Sequence, residues 1–373
     1  MKGEALSAPH YVVEYHEHTG LYRWRVAPGE RLLLPTGRPA RRAPNVVALG
    51  GGTGLPVVLQ GLKQALLPRR WPGESPRDQD RDRLTAIVTV ADDGGSSGRL
   101  RQAYRVLAPG DIRNCLLALA EGDSTVGAIF GFRFNGGNEL AGHTLGNLIL
   151  TALSQLESDF LKAVERASDI LAIRGRVLPS TLDDVTLLAE FADGSRVEGE
   201  SRIAAVRRPI RRVRLQPETA RALPQALDAI AAADLIVIGP GSLYTSLLPT
   251  LLVKELAEAI ARSRARVVLV MNLMTEPGDT DGYTAADFLQ ALRRHTPQVP
   301  IHAVLVNSAR IPGELSERYA AEGAAPMPVE VEVLKAVGCR PVERDLLGGG
   351  PLVRHDPQKL ARAVLELAAG VPE

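Results

Sequence analysis

Short apolar runs alternate with polar loops and helical patterns along most of the chain. Each run ends in a loop of Gly, Ser or Asp residues and is followed by apolar residues at helical spacing, an order typical of βαβ units. The runs lie at residues 45–50, 84–91, 233–240, 266–273 and 301–307. Because consecutive positions are apolar, we expect these strands to be buried on both faces and to form a parallel central sheet.

Two stretches depart from this alternation. Residues 111–174 contain three helical segments with one apolar face each, which we expect to cover the sheet. In residues 176–217, polar and apolar positions alternate around Asp193-Gly194, a dipeptide typical of tight hairpins. The predicted fold class is therefore α/β, with a mostly parallel central sheet and a small antiparallel β insertion at about residues 176–217.

Residues 1–43 differ in pattern from the rest of the chain. They contain three of the seven His residues and end in the basic, proline-containing stretch PTGRPARRAP. We interpret them as an N-terminal extension, and residues 44–373 as one nucleotide-binding α/β domain that carries the insertion.

Composition excludes several classes of partner and compartment. The formal charge is +1, from 44 basic and 43 acidic residues, which gives no reason to expect binding to nucleic acid. No apolar run is long enough to span a membrane, and no secretory signal is recognisable. Cys115 and Cys339 lack the spacing of a zinc site or a disulfide framework. We therefore predict a cytoplasmic protein that binds any phosphate through local groups.

The first candidate loop follows the run at 45–50. Its glycines let the backbone approach a phosphate, and the helix that follows presents unpaired N–H groups. Gly50 and Gly52 have the G-x-G spacing of dinucleotide-binding proteins, but Leu55 stands where the third glycine belongs, and no Gly-Lys-Ser/Thr of a P-loop follows. A simple tight turn is the alternative. The candidate ligand-binding residues here are Gly51, Gly52, Thr53 and Gly54.

The second candidate loop follows the run at 84–91 and begins with two adjacent carboxylates, Asp92 and Asp93. Such a pair can hold Mg²⁺, bind a ribose hydroxyl or act as a base, whereas the structural alternative is a turn cap and an ion pair with Arg99. An arginine suits the bidentate recognition of phosphate oxygens. The candidate residues are Asp92, Asp93, Gly95, Ser96, Ser97 and Arg99.

Two further loops precede helices and offer polar side chains. Asn114 lies in the first turn of the helix that begins near Asp111. His143 stands at another predicted helix start, and Asn147 follows one turn later on the same face. Either a phosphate contact or ordinary helix capping accounts for these residues.

The last two candidate loops follow the runs at 233–240 and 266–273. The first supplies Gly239, Gly241, Ser242 and Tyr244. In the second, Tyr283 can stack on a base or sugar, or simply pack on its own loop, and Thr284 with Asp287 forms a capping box. Ligands of open parallel sheets bind at the carboxyl ends of the strands, so we expect all of these loops to meet in one site.

Six segments together carry a resemblance to a known family. They are ALGGGTGLPVVLQGLK, TVADDGGSSGRLR, PGDIRNCLLALA, GHTLGNLILTAL, ADLIVIGPGSLYTSLLP and MNLMTEPGDTDGY. Over roughly residues 45–335 the chain resembles the gluconeogenesis factor (YvcK-type) family, which is related to CofD-like 2-phospho-L-lactate transferases.

The resemblance implies a Rossmann-like three-layer αβα fold and a cytoplasmic role in cell shape and growth on gluconeogenic carbon sources. It implies a UDP-sugar ligand such as UDP-N-acetylglucosamine, faced by the GGGTG and ADDGGSSG loops and approached by Tyr283 and Arg318. The transferase relatives use a divalent cation, which makes Asp92 and Asp93 candidates for holding Mg²⁺.

Three functions are compatible with these patterns. The first is a regulatory protein that binds a nucleotide sugar, with a homodimer as the default assembly and a protein partner in cell-envelope regulation. The second is an Mg²⁺-dependent transferase that moves a phosphate-bearing group from a nucleotide-activated donor. The third is an NAD(P)-binding oxidoreductase, which Leu55 disfavours. Whether the protein is an enzyme is left open; if it is one, we expect a transferase.

Overall fold

The chain divides into two compact units, residues 1–42 and 43–373. The computed structural model describes residues 11–16, 21–26, 43–67, 81–121, 124–137 and 139–369. In the first unit, strand β1 (Tyr11–His16) pairs antiparallel with β2 (Leu21–Val26), and Tyr11 lies opposite Val26. The other residues of the predicted extension up to residue 42 lie outside the described part.

The second unit is built around a parallel sheet. Its strands, in chain order, are β3 (Val46–Gly50), β4 (Leu84–Val88), β5 (Arg176–Pro179), β6 (Thr186–Phe191), β7 (Arg196–Glu198), β8 (Ile210–Gln216), β9 (Leu235–Ile238), β10 (Arg266–Val270), β11 (Ala303–Asn307) and β12 (Arg340–Arg344). The central sheet has the order β12-β11-β10-β9-β3-β4-β5, and every neighbouring pair is parallel. The predicted α/β fold with a parallel sheet is confirmed.

Helices cover this sheet. They are α1 (Gly54–Leu66), α2 (Gly95–Tyr104), α3 (Gly110–Leu119), α4 (Thr125–Gly131), α5 (Leu145–Glu157), α6 (Phe160–Ile170), α7 (Glu200–Val206), α8 (Pro224–Ala231), α9 (Leu248–Leu251), α10 (Lys254–Arg262), α11 (Ala285–His295), α12 (Gly313–Ala321), α13 (Val331–Ala336) and α14 (Pro357–Ala369), with a π-helical turn at Leu243–Leu247. No helix in the described ranges is long and apolar enough to cross a membrane.

Helix α1 shows how the sequence pattern produces the packing. Its buried leucines and valine recur at helical spacing on one face, which packs against α3 and α14. Capping fixes where two other helices begin. Thr284 and Asp287 form the predicted capping box of α11, and the Asp356 carboxylate accepts the Gln358 and Lys359 N–H groups at the start of α14.

The insertion is a three-stranded antiparallel sheet in the order β7-β6-β8, with α7 between β7 and β8. Strands β6 and β7 form a hairpin around Asp193-Gly194, as predicted from that dipeptide. The predicted start near residue 176 needs correction, because Arg176–Pro179 pairs in parallel with β4 and belongs to the central sheet. This strand has only four residues, of which Val177 and Leu178 are buried hydrophobic residues. It is too short for its pattern of polar and apolar positions to be recognised in the sequence.

The strand order reverses direction between β3 and β9. From β3 the chain proceeds to β4 and β5 on one side, and from β9 to β10, β11 and β12 on the other. The connections after β3 and β9 therefore diverge, which leaves a crevice at the carboxyl ends of these neighbouring strands. This is the place where open α/β sheets bind ligands.

Candidate functional site

The loops after β3 and β9 touch each other through backbone atoms. A Cβ atom on Gly54 would lie 2.3 Å from the Pro240 carbonyl oxygen, so no residue larger than glycine fits there without movement. Gly52 has φ +66°, a left-handed conformation that favours glycine. Helix α1 starts at Gly54, and the Thr53 side chain makes no capping hydrogen bond within the described part of the chain. The first N–H groups of α1 are thus available for an anion.

A cavity of about 360 Å³ opens at this point, and we call it the switch-point cavity. Its walls come from four segments that are distant in sequence. They are residues 52–57 of the β3 loop and α1, residues 240–242 after β9, residues 272–277 after β10, and residues 352–355 before α14, with Tyr319, Glu322 and Ala324 at one side. Of the predicted residues, Gly52, Thr53, Gly54, Gly241 and Ser242 line it.

Polar side chains in this cavity are paired with one another. The Asn272 amide donates to the Gly241 carbonyl and accepts from the Gly241 N–H, both at 3.0 Å. The Ser242 hydroxyl donates to the Glu276 carboxylate, which also accepts from the Asn272 amide at 3.3 Å. Burial raises the pKa of Glu276, so this carboxyl group binds a proton more readily than an exposed one. Neither Asn272 nor Glu276 was among the candidate residues predicted from the sequence.

The helical turn after β9 does not offer its N–H groups to a ligand. The Asp279 carboxylate accepts the N–H groups of Leu243 at 2.8 Å and Tyr244 at 3.0 Å. Burial, and then the neighbouring Glu276, raise the pKa of Asp279 to about 8. The side chain of Asp279 therefore occupies the position where a phosphate would bind at this turn. The start of helix α1, in contrast, stays accessible.

Tyr244 needs correction as a candidate ligand contact. Its side chain is fully buried, and its hydroxyl lies 2.8 Å from the hydroxyl of Tyr283. Burial, and then Tyr283, raise the pKa of Tyr244 above its usual range. Tyr244 therefore packs in the core and positions Tyr283. Gly239, with φ +76°, lies against the Val270 carbonyl and the Leu247 side chain behind the loop.

Four carboxylates, Asp92, Asp93, Asp111 and Glu200, form what we call the carboxylate cluster. Asp92 accepts the Gly94 N–H and Asp93 accepts the Ser201 N–H, both at 2.8 Å. The second contact attaches helix α7 of the insertion to the β4 loop. Neither Glu200 nor Asp111 was among the candidate residues predicted from the sequence.

Burial and neighbouring carboxylates raise the pKa of two members of this cluster, Asp111 and Glu200. Burial, and then Asp92, raise the pKa of Asp111 to about 6, although the Gly52 N–H that it accepts opposes the shift. Burial raises the pKa of Glu200 to about 7, with further contributions from Asp92, Asp93 and Asp111. Gly52 therefore connects the cluster, through its N–H, with the switch-point cavity that it lines.

Four predicted residues meet in a buried hydrogen-bond network. The Ser96 hydroxyl lies 2.9 Å from His143 Nδ1 and accepts from the Asn147 amide at 3.0 Å. Arg113 donates to Asn147 at 2.7 Å and to Asn114 at 2.6 Å, and it also contacts Thr144. Burial, and then Arg99, lower the pKa of His143, which favours its neutral form. Arg113 connects the residues that the sequence suggested separately.

The remaining candidate residues are Gly95, Ser97, Arg99 and Arg318. Gly95 and Ser97 are in the first turn of α2, where Gly95 is exposed and Ser97 buried. Arg99 donates to the Ala141 carbonyl at 2.6 Å. Arg318 donates to the Pro351 carbonyl and lies over the ring of Tyr319, a residue that lines the cavity. Neither arginine is itself among the residues that line the cavity.

The described residues contain no group of three or more His, Cys, Asp or Glu side chains arranged to hold a metal ion. The carboxylate cluster alone therefore does not form a complete metal site. Mg²⁺ is commonly held by one or two carboxylates together with substrate phosphates and water. The donor set fits a cation that arrives with a phosphorylated ligand.

Comparison with known proteins gives consistent results. The family described as 2-phospho-L-lactate transferase CofD matches residues 46–347. The "Gluconeogenesis factor" of Bacillus subtilis (strain 168) is 45% identical over 325 residues, which are 87% of this chain and 98% of that protein. A "Putative gluconeogenesis factor" of Nostoc sp. is 46% identical over 332 residues, which are 88% of this chain and 70% of that protein.

Solved structures support the same relationship. A crystal structure of a Bacillus halodurans protein, titled as a member of the upf0052 family, superimposes with a TM-score of 0.79 and 43% sequence identity. The match covers 87% of this chain and 99% of that one.

Proposed function

Because the chain belongs to the CofD family and, within it, to the gluconeogenesis factors, we propose that it is a regulatory protein that binds a UDP-sugar in the switch-point cavity. Its role is the regulation of cell shape and carbon metabolism in the cytoplasm. The diphosphate binds at the start of α1, and the rest of the nucleotide extends into the cavity.

One observation carries this proposal. Thr53 and Gly54 present the free start of α1 to a polar cavity at the point where the strand order reverses. Backbone N–H groups and the positive end of a helix stabilise a phosphate without any basic side chain. This suits a protein whose overall charge is near zero. Tyr283 and Arg318 are proposed as contacts for the part of the ligand that extends beyond the cavity.

Isothermal titration with UDP-N-acetylglucosamine tests the proposal. The wild type is expected to bind, whereas Gly52→Ala is expected to lose at least about tenfold in affinity, because alanine is strained at φ +66° and its Cβ would approach the Ser246 hydroxyl at 3.2 Å. Gly194→Ala is the matched control, since Gly194 also has a positive φ but its Cβ would meet no atom within 4 Å. A wild type that releases no heat up to millimolar ligand would contradict the proposal.

A second candidate function is an Mg²⁺-dependent transferase of a phosphate-bearing group. The carboxylate cluster favours it, because the neighbouring acidic groups that raise the pKa of Asp111 and Glu200 also attract a divalent cation. Asp92 and Asp93 would hold the cation together with ligand phosphates, and the cation would neutralise charge on them.

Consumption of nucleotide-activated donors, followed by mass spectrometry with and without Mg²⁺, tests this function. Consumption should require Mg²⁺ and disappear in Asp93→Asn, while the exposed hairpin variant Asp193→Asn retains it. Donor turnover that is equal in Asp93→Asn and wild type would reject the cluster as the reacting site.

A further inference from the structure

Exposed apolar side chains gather on helix α4 and on the hairpin that follows it. Val126 and Ile129 lie one turn apart on the exposed face of α4, and Phe132 stands at its end with 53% of its surface exposed. The rings of Phe132 and Phe134 meet edge to face, with 5.1 Å between their centroids. Together with the exposed Leu140 of the same hairpin, these four residues form what we call the aromatic patch. Apolar surface concentrated in this way marks an interaction site.

The hairpin that carries the patch is held by backbone hydrogen bonds. The Phe134 N–H donates to the His143 carbonyl and the Phe134 carbonyl accepts the Gly142 N–H, both at 2.9 Å. The Leu145 N–H donates to the Phe132 carbonyl at 2.8 Å. At its base, the His143 side chain belongs to the buried network described above. The patch is therefore a formed surface, and a partner would dock on it without first having to order it.

Two side chains of opposite charge accompany the patch. Arg133 lies in the first arm of the hairpin and Glu139 in its turn, and both are exposed. Arg133 donates to the Gly142 carbonyl at 2.8 Å, but neither side chain forms an ion pair with another described residue. Arg99, the other exposed cation at this turn, donates to the Ala141 carbonyl at 2.6 Å. The hairpin thus presents one positive and one negative side chain, each without a counter-ion.

A second copy of this chain matches both charges at once. A twofold axis brings the same surface of two subunits together, so that each residue meets its opposite number in both directions. Arg133 of one subunit then faces Glu139 of the partner subunit, and the reverse pair forms as well. An acidic or a basic partner of another kind would match only one of the two charges. The net charge of +1 also leaves little general repulsion between two copies.

We propose that the protein is a homodimer in which the aromatic patches of two subunits pack against each other about a twofold axis, flanked by two pairs of Arg133 with Glu139 of the partner subunit. This arrangement gives an apolar centre and a charged rim, the usual anatomy of a protein interface. No residue of the patch lines the switch-point cavity, so the inference is independent of the proposed function.

Sedimentation velocity of the full chain over a concentration series tests the dimer. The wild type is expected to be dimeric at about 10 µM, whereas Phe132→Glu should weaken association by at least about 100-fold, because it places an unpaired charge in the apolar centre. Val333→Glu is the matched control. Val333 is also an exposed apolar residue of a short helix, but it lies beside β12, at the opposite edge of the sheet from the helices that carry the patch. It should dimerise like wild type, and circular dichroism confirms that both variants are folded.

A charge exchange tests which partner the surface fits. Arg133→Glu and Glu139→Arg should each weaken the dimer by about tenfold, because each places like charges opposite one another, and the double variant should return to within about threefold of wild type. Recovery in the double variant requires that the two positions meet across the interface between identical subunits. A wild type that stays monomeric at about 100 µM, a folded Phe132→Glu that dimerises like wild type, or a double variant as weak as the single ones would each overturn the inference.

Discussion

The switch-point cavity and the carboxylate cluster lie on either side of the same glycine loop, yet their side chains interact in different ways. In the cavity, Ser242, Asn272 and Glu276 are paired with one another through hydrogen bonds. In the cluster, side chains of like charge are close together, and the pKa values of Asp111 and Glu200 are raised by burial and by their acidic neighbours. The cavity thus combines internally paired side chains with the accessible start of α1, whereas the cluster carries an electrostatic cost that a proton or a cation relieves.

Gly52 joins the two regions. Its backbone lines the cavity while its N–H donates to Asp111 of the cluster. We therefore expect a ligand on one side to alter proton or cation binding on the other. The four predictions that follow separate the contributions of the two regions.

The largest expected effect comes from Gly54→Ala. The added Cβ atom would lie 2.3 Å from the Pro240 carbonyl oxygen and would push the loops after β3 and β9 apart. UDP-sugar affinity should fall by about 100-fold, with a stability loss of roughly 1–3 kcal/mol typical of overpacking. Titration calorimetry and thermal unfolding measure both quantities.

Gly313→Ala is the control for this prediction. Gly313 also begins a helix, but its Cβ would meet no atom within 4 Å. Binding by Gly54→Ala that equals that of Gly313→Ala would show that the close contact between the loops is unimportant for the cavity.

Glu200→Gln tests the cluster through the pH dependence of stability. The pKa of Glu200 is raised from 4.5 to about 7 in the folded state, so folded wild type binds more protons than unfolded chain between these values. The stability from protonated Glu200 is fully present below pH 4.5 and lost as the pH rises through 7. The variant should be about 1–3 kcal/mol more stable than wild type at high pH and equal to it at low pH.

Denaturant unfolding at a series of pH values measures this difference, with the exposed Glu198→Gln as the control. If Glu200→Gln shows the same pH slope as wild type, the carboxylate cluster does not carry the electrostatic cost described above.

Arg113→Lys tests the buried network next to the cluster. Lysine cannot reproduce the guanidinium contacts to Asn114 and Asn147, so the free energy of unfolding should fall by about 1–2 kcal/mol. Nucleotide affinity in the cavity should stay within about twofold of wild type, because Arg113 does not line it. Denaturant unfolding and titration calorimetry give the two values, and a large loss of affinity with unchanged stability would contradict the separation of the regions.

The smallest expected effect is that of Tyr283→Phe. The substitution removes the 2.8 Å contact between the Tyr283 and Tyr244 hydroxyls, while Tyr244 keeps its contact to the Ile210 carbonyl at 3.4 Å. Thermal unfolding should show a loss of about 0.5–1 kcal/mol, and the exposed Tyr104→Phe should show none. A loss above roughly 3 kcal/mol would mean that Tyr283 is part of the core and not a positioned ligand contact.

The sequence predicted the strands that lie in the middle of the sheet. Runs such as those at Val46–Gly50 and Arg266–Val270 are apolar because both faces are covered. The two edge strands, Arg176–Pro179 and Arg340–Arg344, were not recognised. They are short, and the second has one buried residue, Val342, and contains Pro341, a residue that sheets admit at their edges.

The site was predictable where its residues lie in loops directly after strands. Glu200 and His355 were not predictable in this way, because they reach the site from the insertion and from the segment before the last helix. Their importance depends on tertiary contacts that leave no local pattern. Tyr244 is the reverse case: its position in a glycine loop suggested a ligand contact, but the turn directs its side chain into the core.

A crystal structure at saturating UDP-N-acetylglucosamine tests the central claim most directly. We predict that the diphosphate oxygens lie within hydrogen-bond distance of the backbone N–H groups of Thr53 and Gly54 and that the base lies in the switch-point cavity. Diphosphate density at the carboxylate cluster alone, or at any surface away from the loops after β3 and β9, would contradict the account.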